Sequence, residues 1–270
     1  MIPVTDLISL QERSAVITGG ARGLGFAIAQ RFAEAGASLL LADLNEDAAE
    51  EAAARLANER GVRAVGAGAD VRDSTQVEAI AERAVVELGA IDIWVNNAGV
   101  FPRSPGVRMT DEEWNFVLDL NLRAAFFGCR AAGRRMIERG AGGVILNMAS
   151  TAGHRGYGPG LAHYVSSKHG VRGLTKSFAV ELGPHGVRVM SLSPSSFPTE
   201  GLAEARAEVG VQVTSNEAPD FHPLAGERTP DQLARVALFC ASDLAAMCTG
   251  SDIAVDAGVL AAGLQDRRYD

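Results

Sequence analysis

A tyrosine and a lysine four residues apart, in the run Tyr164-Val165-Ser166-Ser167-Lys168, form the pair best suited to chemistry in this sequence. On a helix that spacing sets both side chains on one face, one turn apart. A free phenol, with a pKa of about 10, is a poor base at neutral pH, and an adjacent ammonium favours the phenolate. Such a pair can take a proton from an alcohol hydroxyl or return one to a ketone oxygen. Ser150, at the end of an apolar run, can hydrogen-bond that same oxygen and stabilise developing charge. An ordinary amphipathic pair and a strand-end cap are the plain alternatives, since a Tyr-x-x-x-Lys match alone is weak.

A second constellation can hold a reactive group. Thr18-Gly19-Gly20-Ala21-Arg22-Gly23-Leu24-Gly25 follows an apolar run and opens an amphipathic one. Glycines here permit a tight turn and close approach of backbone to a pyrophosphate, which then faces the positive end of a helix dipole. Gly19, Arg22, Gly23, Leu24 and Gly25 are therefore candidate cofactor contacts. Asp43 lies 20 residues beyond Gly23, at the end of the next apolar run. A carboxylate there accepts hydrogen bonds from ribose hydroxyls and repels a 2′-phosphate. Leu44 and Asn45 follow, with no Lys or Arg, so NAD is favoured over NADP. Arg22 is a competing signal, because a guanidinium beside the phosphates can pair with a 2′-phosphate. A helix N-cap is the bland alternative for Asp43.

The elements that must position these residues alternate along the chain. Apolar runs at 14–18, 38–42, 63–69, 91–95, 144–148, 187–192 and 253–255 predict strands. Amphipathic stretches at 24–35, 45–60, 74–88, 110–138 and 164–182 predict helices, the first two closed by Gly36 and Gly61. Strands joined by helices of that length run parallel, and right-handed crossovers place helices on both faces. The pattern predicts an α/β fold: a three-layer, doubly wound parallel sheet forming one domain over residues 1–270. A long irregular stretch at 194–229 is expected to serve as a substrate loop.

Taken in order, these motifs resemble the short-chain dehydrogenase/reductase family, in its compact single-domain branch with a Rossmann fold. The resemblance runs from Ser14 to Gly258. It includes Asp70-Val71 after the third strand, Asn96-Asn97-Ala98-Gly99 after the fourth, Asn121, Ser150 and the Tyr164–Lys168 motif. It implies that Asp70 and Val71 hold the adenine ring, that Asn97, Ala98 and Gly99 lie along the cofactor, and that Leu44 flanks the ribose. Lys168 is implied to bind the nicotinamide ribose beside Tyr164, and Asn121 to organise a water path to the lysine. Pro194, Phe197 and Thr199 are implied nicotinamide contacts, with Phe197 lining the ring. Two helices, 110–138 and 164–182, are implied to build a dimer interface within a homotetramer. The chain departs from the family's usual pattern at Ala149, at Ser195 in place of a glycine, and in a Ser150–Tyr164 interval of 14 residues, which predicts a bulged loop at 154–163.

Composition excludes other classes. An apolar share of 47% with 21% charged residues is that of a folded globule, and a net charge of −8 argues against nucleic acid or an anionic membrane as partner. No apolar stretch approaches a membrane span, and Met1 to Gln11 lacks the pattern of a secretory signal, so the cytoplasm is expected. Cys129, Cys240 and Cys248 form no Cys-x-x-Cys pair, and the five histidines lack metal-ligand spacing, so no metal is expected. His154 and His163 are expected on a surface loop, and Arg134, Arg135 and Arg139 on a solvated helix face. The expected activity is NAD(H)-dependent interconversion of a small, neutral secondary alcohol and its ketone. An NADP-dependent 3-oxoacyl reductase and a non-catalytic dinucleotide sensor are the rivals.

Overall fold

The computed structural model describes residues 1–199 and 222–262. Among these, seven strands form one sheet in the order β3-β2-β1-β4-β5-β6-β7, every neighbouring pair parallel. The strands are β1 (Ser14–Thr18), β2 (Ser38–Asp43), β3 (Ala64–Gly68), β4 (Ile93–Asn96), β5 (Gly143–Met148), β6 (Val187–Pro194) and β7 (Asp252–Val255). The helices are α1 (Val4–Ile8), α2 (Gly23–Glu34), α3 (Glu46–Arg60), α4 (Ser74–Leu88), α5 (Asp111–Leu118), α6 (Ala124–Arg139), α7 (Ala162–Leu182), α8 (Pro230–Ala241) and α9 (Val259–Ala262).

The strand residues alternate between two cores, which is why the apolar runs are continuous. Ala15, Ile17, Leu39, Leu41, Ile93 and Val95 pack towards α2 and α8 with Ile28, Phe32, Leu233 and Ala237. Val16, Leu40, Trp94 and Ile145 point the other way, towards α4, α6 and α7, against Ile80, Ala132, Met136 and Phe178. Burying a side chain of that size contributes about 2 kcal/mol. Strand order reverses at β1, whose neighbours β2 and β4 are reached by crossovers in opposite directions. A crevice therefore opens at the carboxyl ends of β1 and β4, the place where such sheets bind ligands.

Local signals account for the helix ends. Asn45 accepts from Ala48 N at 3.1 Å to cap α3, and Gly61 closes it with φ of 68°. Three features lay outside the sequence expectation. The predicted helix 110–138 is interrupted by a π-helical turn, Asp119–Arg123, between α5 and α6. Helix α8 falls outside every predicted helix, although Thr229 and Gln232 form a reciprocal capping box around Pro230. Helix α1 is short and buries no residue, so it left no periodic trace. Most of the expected loop 194–229, including Leu202, Arg206, Val209, Val211 and Phe221, lies outside the described residues.

Arg134 and Arg139 of the basic cluster on α6 are exposed, as expected, and all three arginines of the cluster are also paired. Arg134 and Arg135 reach Glu78 of α4 at 3.3 and 2.9 Å, and Arg139 reaches Asp92 at 2.6 Å.

Candidate active site

The glycine-rich turn leaves β1 with Gly19 at φ +60° and Gly23 at φ +58°, a conformation that side-chain-bearing residues rarely adopt. It is pinned from beneath by the first residues after β4. Asn97 Nδ2 donates to Thr18 O at 3.0 Å and to Gly19 O at 2.9 Å, while Thr18 Oγ1 accepts from Asn97 N and Ala98 N. A methyl group on Gly25 would stand 2.1 Å from Gly19 O. Gly25 thus lets α2 press against the turn from behind; it does not line the crevice itself, as expected of a direct cofactor contact.

The crevice is a cleft of about 410 Å³. Gly19, Arg22, Gly23 and Leu24 form one wall; Asp43, Leu44, Asp70 and Val71 line one end. Asn97, Ala98 and Gly99 form its floor, and Tyr164, Lys168, Pro194 and Thr199 its other end. Positive-φ glycines at a helix N-terminus, with a carboxylate at the end of the next strand, suit the pyrophosphate and ribose of a dinucleotide.

Asp43 Oδ2 accepts from Ala21 N and Oδ1 from Asn45 N, each at 3.3 Å. The cap of the following helix is Asn45, so the capping alternative for Asp43 does not hold. Asp70 is engaged by Arg72, whose Nε lies 2.9 Å from Oδ1, and this bonding holds the Asp70 carboxyl below its usual range. Arg72 also stacks over Phe116 at 5.3 Å from the ring centre. Arg72 and Phe116 both line the cleft and were not foreseen. The Asp-x-Arg spacing was the available signal for the first; nothing local marks the second.

At the other end, α7 begins at Ala162, so Tyr164 falls in its first turn and its N–H lacks a helical partner. His163 Nδ1 accepts that N–H at 2.8 Å. His163 is fully buried and His154 is bonded within the fold, so neither is the surface-loop histidine expected from sequence. Phe101 meets Tyr164 edge-on at 6.0 Å between ring centres.

Lys168 is buried and donates from Nζ to Met148 O at 2.8 Å, at the end of β5. Its Nζ stands 5.7 Å from the centre of the Tyr164 ring. Burial pushes the Tyr164 phenol up to about 12, and a hydrogen bond with Ser150 pulls against that rise. Burial likewise pushes Lys168 down to about 8. Desolvation weakens the ammonium itself, and Ser150 is the group that opposes the rise in Tyr164.

Ser150 is buried and also accepts from Ala152 N at 3.1 Å, capping a 3-10 turn, Thr151–Gly153. It thus fills the capping role and touches Tyr164 as well. Asn121 is brought inward by the π-helical turn. Its Oδ1 accepts from Val100 N at 2.8 Å, and its Nδ2 donates to Val100 O at 2.8 Å and to Ser167 Oγ at 3.2 Å. It holds the loop segment after Gly99 against α7. Phe197 is placed differently from expectation: it is 6% exposed and packs in the core with Met148 and Leu192. It is not among the described residues that line the cleft.

A deeper polar chain underlies the site. Trp94 Nε1 donates to Asn96 Oδ1 at 2.7 Å, Asn96 Nδ2 to Asn147 Oδ1 at 2.8 Å, and Asn147 Nδ2 to Thr175 Oγ1 at 3.0 Å. Each buried amide is satisfied by its neighbour, which ties β4, β5 and α7 into one rigid support.

Among the described residues no cluster of three or more His, Cys, Asp or Glu is arranged to hold a metal, and no helix is long and apolar enough to cross a membrane.

A sequence model described as enoyl-(acyl carrier protein) reductase matches residues 19–260. The D-threitol dehydrogenase of Mycolicibacterium smegmatis is 39% identical over 92% of this chain and 93% of its own length. The 3-oxoacyl-(acyl-carrier-protein) reductase of Chlamydia muridarum is 36% identical over 93% of this chain and 98% of its own. Among solved structures, a short-chain type dehydrogenase/reductase from Mycobacterium marinum superposes with a TM-score of 0.86 at 36% identity, covering 95% of this chain and 99% of that one. A levodione reductase gives 0.87 at 32% identity, covering 93% and 99%. The chain belongs to the short-chain dehydrogenase/reductase family, whose members bind a nicotinamide dinucleotide and act as oxidoreductases on small molecules.

Proposed function

We propose that this single-domain chain is an NAD(H)-dependent dehydrogenase that interconverts a small secondary alcohol and its ketone, with Tyr164 as the proton acceptor and donor. The observation that carries the reading is the meeting of Tyr164 and Lys168 at one end of a cleft whose other end is closed by Asp43, with Ser150 hydrogen-bonded to Tyr164 just behind the lining. When bound, the dinucleotide supplies the hydride acceptor or donor and, in its oxidised form, a positive charge. The remaining work falls to side chains. Ser150 orients the substrate oxygen towards the phenol; Tyr164 takes the hydroxyl proton in oxidation and returns it in reduction. Lys168, fixed to Met148 O, holds its ammonium near the Tyr164 ring and offers it to the nicotinamide ribose. Gly19, Arg22, Gly23 and Leu24 would cradle the pyrophosphate, Asp43 and Leu44 would hold the adenosine ribose, and Asp70 and Val71 the adenine. Asn97, Ala98 and Gly99 would run beneath it, and Pro194 and Thr199 would meet the carboxamide.

Asp43 favours NAD because its charge meets ribose hydroxyls and opposes a third phosphate. Phe126 and Val180, exposed on α6 and α7, support assembly through those helices into a dimer within a tetramer. The relatives' names define the substrate panel: D-threitol, levodione and a 3-oxoacyl thioester. Turnover of that panel with NAD(H) and with NADP(H) tests the proposal; faster reaction with NADP(H) on the thioester alone would replace it with the reductase reading. Binding of NADH with no turnover of any member would favour a dinucleotide sensor.

A further inference from the structure

Asp252 on β7 keeps only 7% of its side chain exposed, and a buried carboxylate is costly unless its oxygens are partnered. Groups from three other elements converge on it. Ser193 of β6 donates to both oxygens at 2.9 Å, and Ser191 of β6 donates to Oδ1. His154 Nε2, just past the Ser150 turn, lies 2.6 Å from Oδ2, and Arg172 Nε of α7 lies 3.4 Å from the same oxygen. Arg172 Nη1 also donates to Gly153 O at 2.6 Å.

The hydrogen positions follow from donor counting. Ser193 has one hydroxyl hydrogen, which goes to Asp252, so His154 Nε2, 3.2 Å from Ser193 Oγ, is the donor to both acceptors. One nitrogen serves both contacts, unlike a serine–histidine–acid relay, in which the two ring nitrogens face different partners.

The placement on α7 matters. Tyr164, Lys168 and Arg172 recur every four residues and so lie along one stripe of the helix. Lys168 grips Met148 O and Arg172 grips Gly153 O, two carbonyls that bracket Ser150. The turn between them is closed by Gly153 N to Ser150 O at 2.8 Å and His154 N to Thr151 O at 3.1 Å.

We propose that His154, Arg172 and Asp252 are positioning residues: a clamp that fixes the Ser150 turn against the helix bearing Tyr164. It holds the turn to α7 through Arg172 and to the sheet through Asp252. This rests on the assignment of Ser150 and Tyr164 to proton transfer and adds a determinant of their alignment. The neutral Nε2–H tautomer and the imidazolium both make the bond to Asp252. A glutamine, whose amide nitrogen reaches to a similar point, can therefore replace the histidine; a leucine of similar bulk cannot.

The test compares His154→Leu, His154→Gln and Arg172→Met in the full chain. Readouts are kcat and KM on the fastest alcohol of the panel, NADH affinity by fluorescence, and hydrogen exchange at the amides of residues 152–154. His154→Leu and Arg172→Met should lower kcat roughly tenfold or more while NADH affinity stays within about twofold of wild type. Amide exchange at 152–154 should quicken in both. His154→Gln should recover rate and protection together. Wild-type kcat in His154→Leu, equal damage by Gln and Leu, or NADH affinity falling in step with kcat would overturn the clamp. If the wild type turns over no panel member, the functional reading fails, and exchange alone judges the clamp: unchanged protection in Leu and Met variants refutes it. Should His154→Leu not fold, Arg172→Met carries the same readouts.

Discussion

The Lys168 ammonium stands 5.7 Å from the centre of the Tyr164 ring, one helical turn along α7. The geometry makes the lysine a neighbour of the phenol without a direct bond to it. Burial raises the Tyr164 phenol above its ordinary value, and the Ser150 hydrogen bond opposes that rise.

Tyr164→Phe should bind NADH as the wild type does and lose turnover by roughly 10²–10⁴-fold, the span typical of a lost general acid/base. Stopped-flow and steady-state rates on the same substrate check this. Rates near wild type would remove Tyr164 from the mechanism.

Asp43→Ala should narrow the preference for NAD over NADP by roughly tenfold, the worth of one charge-assisted hydrogen bond of about 1.5 kcal/mol. Dissociation constants for NADH and NADPH give the ratio directly. An unchanged ratio contradicts the ribose assignment.

The buried lysine makes stability depend on alkaline pH. Lys168 ionises at about 8 in the fold against a reference of 10.5, so between those values the native state binds fewer protons than the unfolded chain. Its contribution to stability therefore rises with pH across that window. Urea midpoints of the wild type relative to Lys168→Met should improve from pH 8 to 10; a flat or falling difference would show that the ammonium is not desolvated.

Cys129 and Cys240 are buried, and burial pushes both thiols up to about 12. A disulfide reagent at neutral pH should label neither in the native protein, leaving the half-buried Cys248 as the first to react. Mass mapping of labelled peptides decides the order, and early modification of Cys129 would disprove it.

Gly128→Ala should destabilise the fold by about 3 kcal/mol. A methyl there would stand 2.0 Å from Asn96 Oδ1 and 2.5 Å from Trp94 Nε1, inside the polar chain beneath the site. A melting temperature equal to the wild type's would mean that chain can shift.

The strands and most helices were legible because each is written locally: alternating apolar runs, Asn45 before α3, Gly61 after it. The same is true of Asp43, whose place follows from its distance beyond the glycine turn. Features made by contacts across the chain were not legible. His154 and Asp252 are 98 positions apart, and nothing near either announces the other. Phe197 reads equally well as a pocket wall or a core residue until the sheet is assembled. The π-helical turn at Asn121 is likewise hidden, since one extra backbone residue scarcely disturbs a helical pattern. Helix α8 was readable from Thr229, Pro230 and Gln232 but was obscured by the irregular stretch before it.

The glycine turn and the lip of the cleft differ in what they tolerate. Gly25 leaves no room for even one added carbon against Gly19, whereas Leu44 at the lip is 74% exposed. A larger or charged side chain can therefore be carried at position 44 without disturbing the packing beneath, whereas position 25 admits no side chain at all.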